Sequence, residues 1–445
     1  MKTITMKRHL LATALLALTA SVAQANPNVP PPAQSKPLLI TNATLNTVSG
    51  PVVSNGRMLV EGGRIKAIGG AELQAPAGAQ VIDLQGRQVY PGMVSANTVM
   101  GLVEVSAVRA TVDTAETGAV NPNARALVAI NADSDIIPVT RASGVLTVLS
   151  VPQPRAGIGL VAGTSALVQL DGWNWEDMAL RPEVGLHVTL PTMRSANSLF
   201  ATGTDSPRDE LRRTVNAKLK QLDEVFEMAA AYAKAKAADP KTALDTRWEA
   251  MLPVVRGERP VFVDADDRWQ IRQALDLAER FKLKLAIVGG ADSAALAGEL
   301  KARDVAVVIG SVNRLPLRRD DDVDAIYRLP GELARAGVRF CIAREDRDPS
   351  NERNLGFEAG QAVAHGLNAD EALKAITLYP ARILGAEKEL GSLEVGKYAT
   401  FFVADGSPLD IRSAVQRIFI QGREIELKDK QTGLRDKYQQ RYHAH

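Results

Sequence analysis

The chain has 445 residues, with 53 Lys and Arg against 51 Asp and Glu, five histidines and a single cysteine. The near-neutral balance without a basic cluster argues against nucleic acid as a partner, and one thiol excludes an internal disulfide. This length exceeds one ordinary domain but suits a large barrel with an accessory domain.

The N-terminus has the pattern of a cleavable signal peptide. Lys2, Lys7 and Arg8 precede an apolar run of eleven residues, 10–20, and residues 23–25 (AQA) offer a small-residue cleavage site. A membrane span needs about 20 apolar residues, so the run is too short for an anchor. We expect residues 1–25 to be removed by cleavage after Ala25. The mature protein, left with 50 basic and 51 acidic residues, is expected in the periplasm without a membrane anchor.

Both ends of the mature chain have a β-like pattern. The proline-rich residues 26–36 (NPNVPPPAQSK) predict a flexible linker. Residues 37–91 and 386–427 each contain short apolar runs separated by glycine turns. They predict one small composite β-sandwich domain built from N- and C-terminal segments. Residues 428–445 form a polar tail.

The middle of the chain, residues 92–385, alternates buried apolar strands with helical stretches. Runs at 144–151, 261–263, 283–288, 305–309 and 338–343 have the composition of buried strands. Such alternation over nearly 300 residues predicts an α/β fold with a parallel, TIM-like (β/α)8 barrel. The charged, alanine-rich stretch at about 205–240 predicts a helical insertion in the barrel. It is either a solvated surface helix or a lid over the barrel.

Residues 121–132 and 141–151 resemble the periplasmic, imidazolonepropionase-like branch of the amidohydrolase superfamily. Residues 89–94 (VYPGMV) are similar to the entry into the family's first barrel strand. Residues 369–385 (ADEALKAITLYPARILG), 391–397 (GSLEVGK) and 405–409 (DGSPL) resemble its closing helix and its return to the β domain. The resemblance spans about residues 37–427 and implies the same barrel and β-domain architecture.

The resemblance also implies a metal site that this chain does not reproduce. Members of the family hold one or two divalent ions with His-x-His on the first strand, histidines on later strands and a final aspartate. At those places stand Asn97, Val99, Asp264, Gly289 and Glu345. A one-residue slip would put Arg344 at the last position. We therefore expect a degenerate metal site and no cofactor.

A count of histidines supports this expectation independently of register. His9 leaves with the signal peptide, and His443 and His445 lie in the last three residues. His187 alternates with apolar residues, so it either faces a pocket or is a hydrogen-bonded structural residue. His365 precedes a glycine and is expected near a helix C-terminus, where the helix dipole favours it.

The remaining candidates are a group of acidic residues and the single cysteine. Asp264 and Asp266 share one face of a strand because side chains alternate, and Asp267 follows them. With Glu345 these acids could hold Mg²⁺ or Ca²⁺ through oxygen, or simply be solvated acids at a strand end. Cys341 lies in an apolar run (RFCIA) that predicts a buried, inert thiol rather than a nucleophile.

Two functions therefore remain open. The favoured one is an exported amidohydrolase-like protein without metal-dependent hydrolysis. It would bind a small molecule or peptide at the barrel mouth, or pair as a homo- or hetero-oligomer with an active relative. The alternative is an active hydrolase of amide or peptide C–N bonds, with a divalent metal held by Asp264, Asp266 and Glu345.

Overall fold

The computed structural model of the chain describes residues 29–193, 208–344 and 348–443, so the expected signal peptide lies outside the described residues. The strands are β1 (Leu38–Leu45), β2 (Val53–Glu61), β3 (Arg64–Gly69), β4 (Gln80–Asp83), β5 (Gln88–Pro91), β6 (Met93–Thr98), β7 (Val145–Ser150), β8 (Val161–Thr164), β9 (Ala166–Gln169), β10 (Ala179–Arg181), β11 (Leu186–Thr189), β12 (Val261–Ala265), β13 (Leu285–Gly289), β14 (Ala306–Ile309), β15 (Phe340–Ile342), β16 (Phe401–Ala404), β17 (Val415–Ile420) and β18 (Arg423–Ile425).

The α-helices are α1 (Ile136–Arg141), α2 (Trp175–Met178), α3 (Arg208–Ala238), α4 (Thr246–Val255), α5 (Arg268–Phe281), α6 (Ala297–Ala302), α7 (Ala325–Ala336), α8 (Leu355–Ala364), α9 (Ala369–Ala375), α10 (Leu378–Ile383) and α11 (Lys430–His443). Short 3₁₀ helices lie at Arg109–Thr111, Ala126–Ala129, Ser293–Leu296 and Pro349–Asn354. Among the described residues, no helix is both long and apolar enough to cross a membrane.

The β domain combines strands from both ends of the chain. Its order is β18-β17-β16-β5-β1-β2-β3, with β4 also paired to β1, and the C-terminal strand β16 runs antiparallel to the N-terminal strand β5. Phe401 and Phe419 stack at 4.5 Å in its apolar core. All eight strands belong to one hydrogen-bonded sheet, so the two separate sheets of the expected sandwich are not found.

The described part of the linker lies against this sheet. The Gln34 side chain donates to the Val60 carbonyl at 2.9 Å and accepts from the Gly63 amide at 2.8 Å. Arg423 donates to the carbonyl of Pro31 at 3.3 Å. Hydrogen bonds therefore hold Pro31 and Gln34 against β18 and the β2–β3 hairpin, within the segment where a flexible linker was expected.

The second unit is α/β and holds seven mutually parallel strands, β6, β7 and β11–β15, in two sheets. Strands β8 and β9 are separated only by Ser165 and run antiparallel to β11 and β7, respectively. Strand β8 belongs to the six-stranded sheet and β9 to the four-stranded sheet, so this segment links the two sheets. The expectation of a strictly parallel (β/α)8 barrel is wrong at β8 and β9. Residues 151–160 between β7 and β8 hold no helix and are too short for the usual parallel crossover, so the chain returns antiparallel.

The ring of strands is not closed by hydrogen bonds throughout. Strand β15 lies beside β6, but no ladder joins them in the described part of the chain. The amide of Val94 in β6 instead donates to the carbonyl of Ile376 at 2.8 Å. The ring encloses an apolar interior that includes Val94, Leu149, Phe262, Val308 and Cys341.

Helix α3 occupies most of the predicted helical insertion, but it is neither a solvated excursion nor a lid. Its side chains at Leu222, Phe226 and Ala229 are buried in the main core, and Phe226 stacks on Phe281 of α5 at 5.4 Å. These residues recur at spacings of three and four and form one apolar stripe among many charged residues. Helix α3 is therefore part of the connection between β11 and β12 and packs against α4 and α5.

The C-terminal polar tail forms α11. Its Lys430 pairs with Asp135 at 3.2 Å, and most of its residues are exposed.

Candidate functional site

The carboxyl ends of the parallel strands, where ligands bind in such folds, surround a small inner cavity. We define the inner cavity by its lining residues Asn97, Val151, Pro152, Gln153, Pro154, His187, Val188, Thr189, Phe262, Asp264 and Val288. Its volume is about 40 Å³. That volume holds about one or two waters, whereas ligand pockets usually exceed roughly 300 Å³.

His187 on β11 is the most unusual polar group of the inner cavity. Its ring stacks on Phe262 with centroids 5.0 Å apart and an interplanar angle of 6°. Its Nε2 atom is buried without a hydrogen-bond partner among the described residues, so the expected hydrogen-bonded structural role is not met at that atom. Burial lowers the pKa of His187 to about 3, which keeps the imidazole neutral.

Only one of the three candidate aspartates lines the inner cavity. Asp264, on β12, is half-buried there. Asp266 accepts from Arg314 Nη2 at 2.8 Å and Nη1 at 3.2 Å, a bidentate pair that neutralises its charge. Asp267 caps α5 in a reciprocal capping box with Gln270. The predicted pairing of Asp264 with Asp266 at one site therefore fails, because Arg314 holds the second carboxylate.

The two expected ligand positions of the first barrel strand, Asn97 and Val99, line different cavities. Asn97 lines the inner cavity, whereas Val99, which is fully buried, lines a larger neighbouring pocket. The β6–β7 ladder has a register shift between Ser95 and Thr98. The simple alternation that would place both positions on one side therefore does not apply.

On β13 the residue at the site is Val288, one position before the expected Gly289. Gly289 pairs with Ala265 and Ile309, which belong to the core outside the ring. Val288 is the residue that lines the inner cavity. The alternation of Ala286 and Val288 in the sequence was the signal that could have identified Val288. Like Gly289, valine offers no lone pair to a metal.

At the end of β15, Arg344 is directed at helix α8. Its guanidinium pairs with Glu358, whose side chain is fully buried. The same carboxylate accepts from Ser311 Oγ at 3.0 Å and from the Asn313 amide at 2.8 Å. Arg344 therefore does not take the metal-ligand position, and Glu345, the other candidate there, lies outside the described residues.

The two other candidates have structural roles. His365 follows α8, where its Nδ1 lies 3.0 Å from the Gln361 carbonyl, in agreement with the expected place at a helix C-terminus. Cys341 is fully buried in the ring interior, and burial raises the pKa of its thiol. The predicted burial of this cysteine is confirmed.

The donor set does not fit the metal centre of the family. The described residues of the inner cavity supply one imidazole, one carboxylate, two amides and one hydroxyl, next to Phe262 and Val288. Within residues 29–193, 208–344 and 348–443, no three His, Cys, Asp or Glu side chains group as metal ligands. Zinc and related ions in such enzymes need at least three good ligands and an open position.

Comparison with known proteins supports one family. Residues 290–427 match the model of the amidohydrolase family. The chain is 22% identical over 405 residues to amidohydrolase tasK of Hapsidospora irregularis, covering 82% of this chain and 39% of that protein. It is 25% identical over 425 residues to an imidazolonepropionase of Sphingopyxis alaskensis, covering 88% of this chain and 96% of that protein.

Solved structures agree. An amidohydrolase from Thermotoga maritima has a TM-score of 0.76 at 25% identity and covers 87% of this chain and 99% of its own. Molinate hydrolase has a TM-score of 0.54 at 15% identity, covering 88% of this chain and 95% of its own, and shows similarity of fold alone.

Proposed function

We propose that the chain is an exported member of the amidohydrolase superfamily that has lost metal-dependent hydrolysis and acts as a binding scaffold. The similarity to amidohydrolases supports the family assignment. One observation carries the proposal. The cavity at the carboxyl ends of the strands measures about 40 Å³ and is lined by Phe262 and Val288 beside Asn97, His187 and Asp264.

Metal-assisted hydrolysis needs an activated water, a polarised carbonyl and room for the scissile bond. A volume of about 40 Å³ admits about one or two waters but not an amide group with its substituents. Asp266, the nearest additional carboxylate in sequence, is neutralised by Arg314. The oxygen-rich site of the alternative function therefore lacks one of its proposed ligands.

A scaffold of this kind has two classes of partner. A small molecule or a peptide could bind at the barrel mouth, and an active relative could pair with the chain as a hetero-oligomer. The signal-like N-terminus makes the periplasm the compartment in which either partner would be met.

The test is an assay for amide hydrolysis by the mature, untagged protein. N-acetyl amino acids and dipeptides would be incubated with the protein in buffers containing Zn²⁺, Mn²⁺ or Co²⁺, and free amine would be measured. We expect no release above the protein-free control, and the same result for Asp264→Asn. Turnover by the wild type that Asp264→Asn abolishes would refute the proposal.

A further inference from the structure

A second cavity lies beside the inner cavity and is large enough for a ligand. We call it the outer pocket; its lining residues are Val99, Val103, Ser106, Arg109, Val112, Thr114, Ala115, Glu116, Thr117, Gln153, Pro154, Arg155 and Ala156. Its volume is about 460 Å³, within the range of small-molecule sites. Gln153 and Pro154 line both cavities, so this segment after β7 forms the wall between them.

The floor of the outer pocket is apolar. Val99 and Val103 are buried, and Val112 and Pro154 continue the same surface. Val99 is the position at which the family resemblance implies a histidine. Valine in place of that histidine offers no lone pair for a metal, but it gives the outer pocket a hydrophobic floor.

The rim of the outer pocket carries more positive than negative charge. Arg109 and Arg155 contribute two guanidinium groups, and Glu116 contributes one carboxylate. Arg109 Nη1 donates to the Val112 carbonyl at 2.7 Å, which holds that guanidinium at the rim. A guanidinium has five N–H donors in a planar fork, so one such bond leaves donors in a geometry that matches a carboxylate.

The walls of the outer pocket are tied together by backbone hydrogen bonds. The Gln153 amide donates to the Thr114 carbonyl at 2.7 Å and joins the two wall segments. The Asp113 amide donates to the Leu102 carbonyl at 2.8 Å, and the Glu104 amide to the Thr111 carbonyl at 3.0 Å. A pocket with its walls fixed in advance loses less conformational entropy when a ligand binds.

We infer that the outer pocket binds a small carboxylate with an apolar body, such as an N-acylated amino acid. The carboxylate would accept from Arg155 and Arg109, and the apolar body would lie on the floor formed by Val99 and Val103. This inference rests on the proposed function, because it names the class of ligand that the non-catalytic barrel would bind.

Calorimetric titration of the full mature protein tests the inference. The probes are the N-acetyl derivatives of glycine, valine, leucine and phenylalanine, each paired with its neutral carboxamide. We expect measurable binding of at least the leucine or phenylalanine derivative, and about ten-fold or greater weakening for its carboxamide. Arg155→Gln and Arg109→Gln should each weaken binding to a similar extent, because each removes a charge-assisted hydrogen bond.

The matched control is Arg412→Gln. Arg412 has a largely exposed side chain, pairs with Asp410 and lies outside the pocket lining, so its removal should leave affinity unchanged. Circular dichroism of each variant checks folding. The inference is overturned if no probe binds, if acids and carboxamides bind equally, or if both pocket variants bind like the wild type.

The same samples separate this inference from the proposed function. Free amino acid released during titration would refute the non-catalytic proposal, whether or not the pocket variants lose affinity. Absence of both binding and release would overturn the outer-pocket inference alone.

Discussion

The neutral, buried state of His187 predicts a specific loss of stability in acid. Its pKa of about 3 in the folded protein lies below the ordinary value of 6.5, so between these values the unfolded chain binds a proton that the folded chain does not. Stability from this residue is therefore complete above about pH 6.5 and is lost as the pH falls toward 3. At about 1.4 kcal/mol per pH unit, the loss between pH 7 and pH 5 is about 2 kcal/mol.

Urea unfolding at pH 7 and pH 5, followed by circular dichroism, measures this loss. Other groups also titrate, so the informative quantity is the difference between wild type and His187→Gln, which keeps a polar side chain but cannot be protonated. The variant is expected to be less stable at pH 7 because its stacking on Phe262 is lost. Between pH 7 and pH 5, however, the wild type should lose about 2 kcal/mol more than the variant.

The reasoning is refuted if both proteins lose the same free energy over this interval. It is also refuted if the wild type loses less unfolding free energy than the variant between pH 7 and pH 5. That result would mean that the pKa of His187 is raised, as expected for an imidazolium paired with Asp264 in an acid–base dyad, and would favour an active site.

Three further predictions concern the fold around the site. Phe226→Ala should cost about 3–5 kcal/mol of unfolding free energy because the side chain is fully buried. Met228→Ala, on the exposed face of the same helix, should change the unfolding free energy by less than about 0.5 kcal/mol. Equal effects of the two substitutions would restore the interpretation of α3 as a lid. Glu358→Ala should cost about 3–5 kcal/mol in urea unfolding because it removes the buried carboxylate that pairs with Arg344 and accepts from Ser311 and the Asn313 amide, and a loss below about 1 kcal/mol would contradict this arrangement. Cys341 should react with Ellman's reagent only after unfolding, because burial raises the pKa of its thiol, and rapid reaction of the native protein would contradict its place in the ring interior.

Part of this structure could be predicted from the sequence because the relevant signals are local. Short apolar runs with glycine turns at both ends indicated a composite β domain, and buried apolar runs alternating with helices indicated an α/β ring. Motifs such as residues 391–397 indicated a resemblance to the amidohydrolase superfamily, which the comparisons support. The family resemblance named Asp264 as a site position, and Asp264 lines the inner cavity.

Features that depend on distant partners could not be predicted in the same way. The alternation of β13 was placed one residue late, and such a slip exchanges the two faces of a strand, so Gly289 was expected where Val288 lies. The direction of the segment 161–169 depends on its neighbours, which its own apolar pattern does not reveal. The Asp266–Arg314 pair joins residues 48 positions apart, and no local sequence motif predicts this contact.

The apolar stripe of α3 was present in the sequence but obscured by composition. Charged and alanine residues dominate the helix, so its average hydropathy suggests solvent exposure. Leu222, Phe226 and Ala229 share one face only when they are arranged at the helical period. Periodicity, rather than average composition, was the signal that distinguished a packed helix from a solvated one.

The most direct test of the central claim is the divalent-metal content of the mature, untagged protein. The protein would be expressed in medium supplemented with zinc, manganese and cobalt, and analysed by plasma mass spectrometry after gel filtration. A degenerate site predicts far less than one equivalent of any divalent metal per folded chain. One or two equivalents that Asp264→Asn removes without unfolding the protein would contradict the account and make Asp264 a metal ligand.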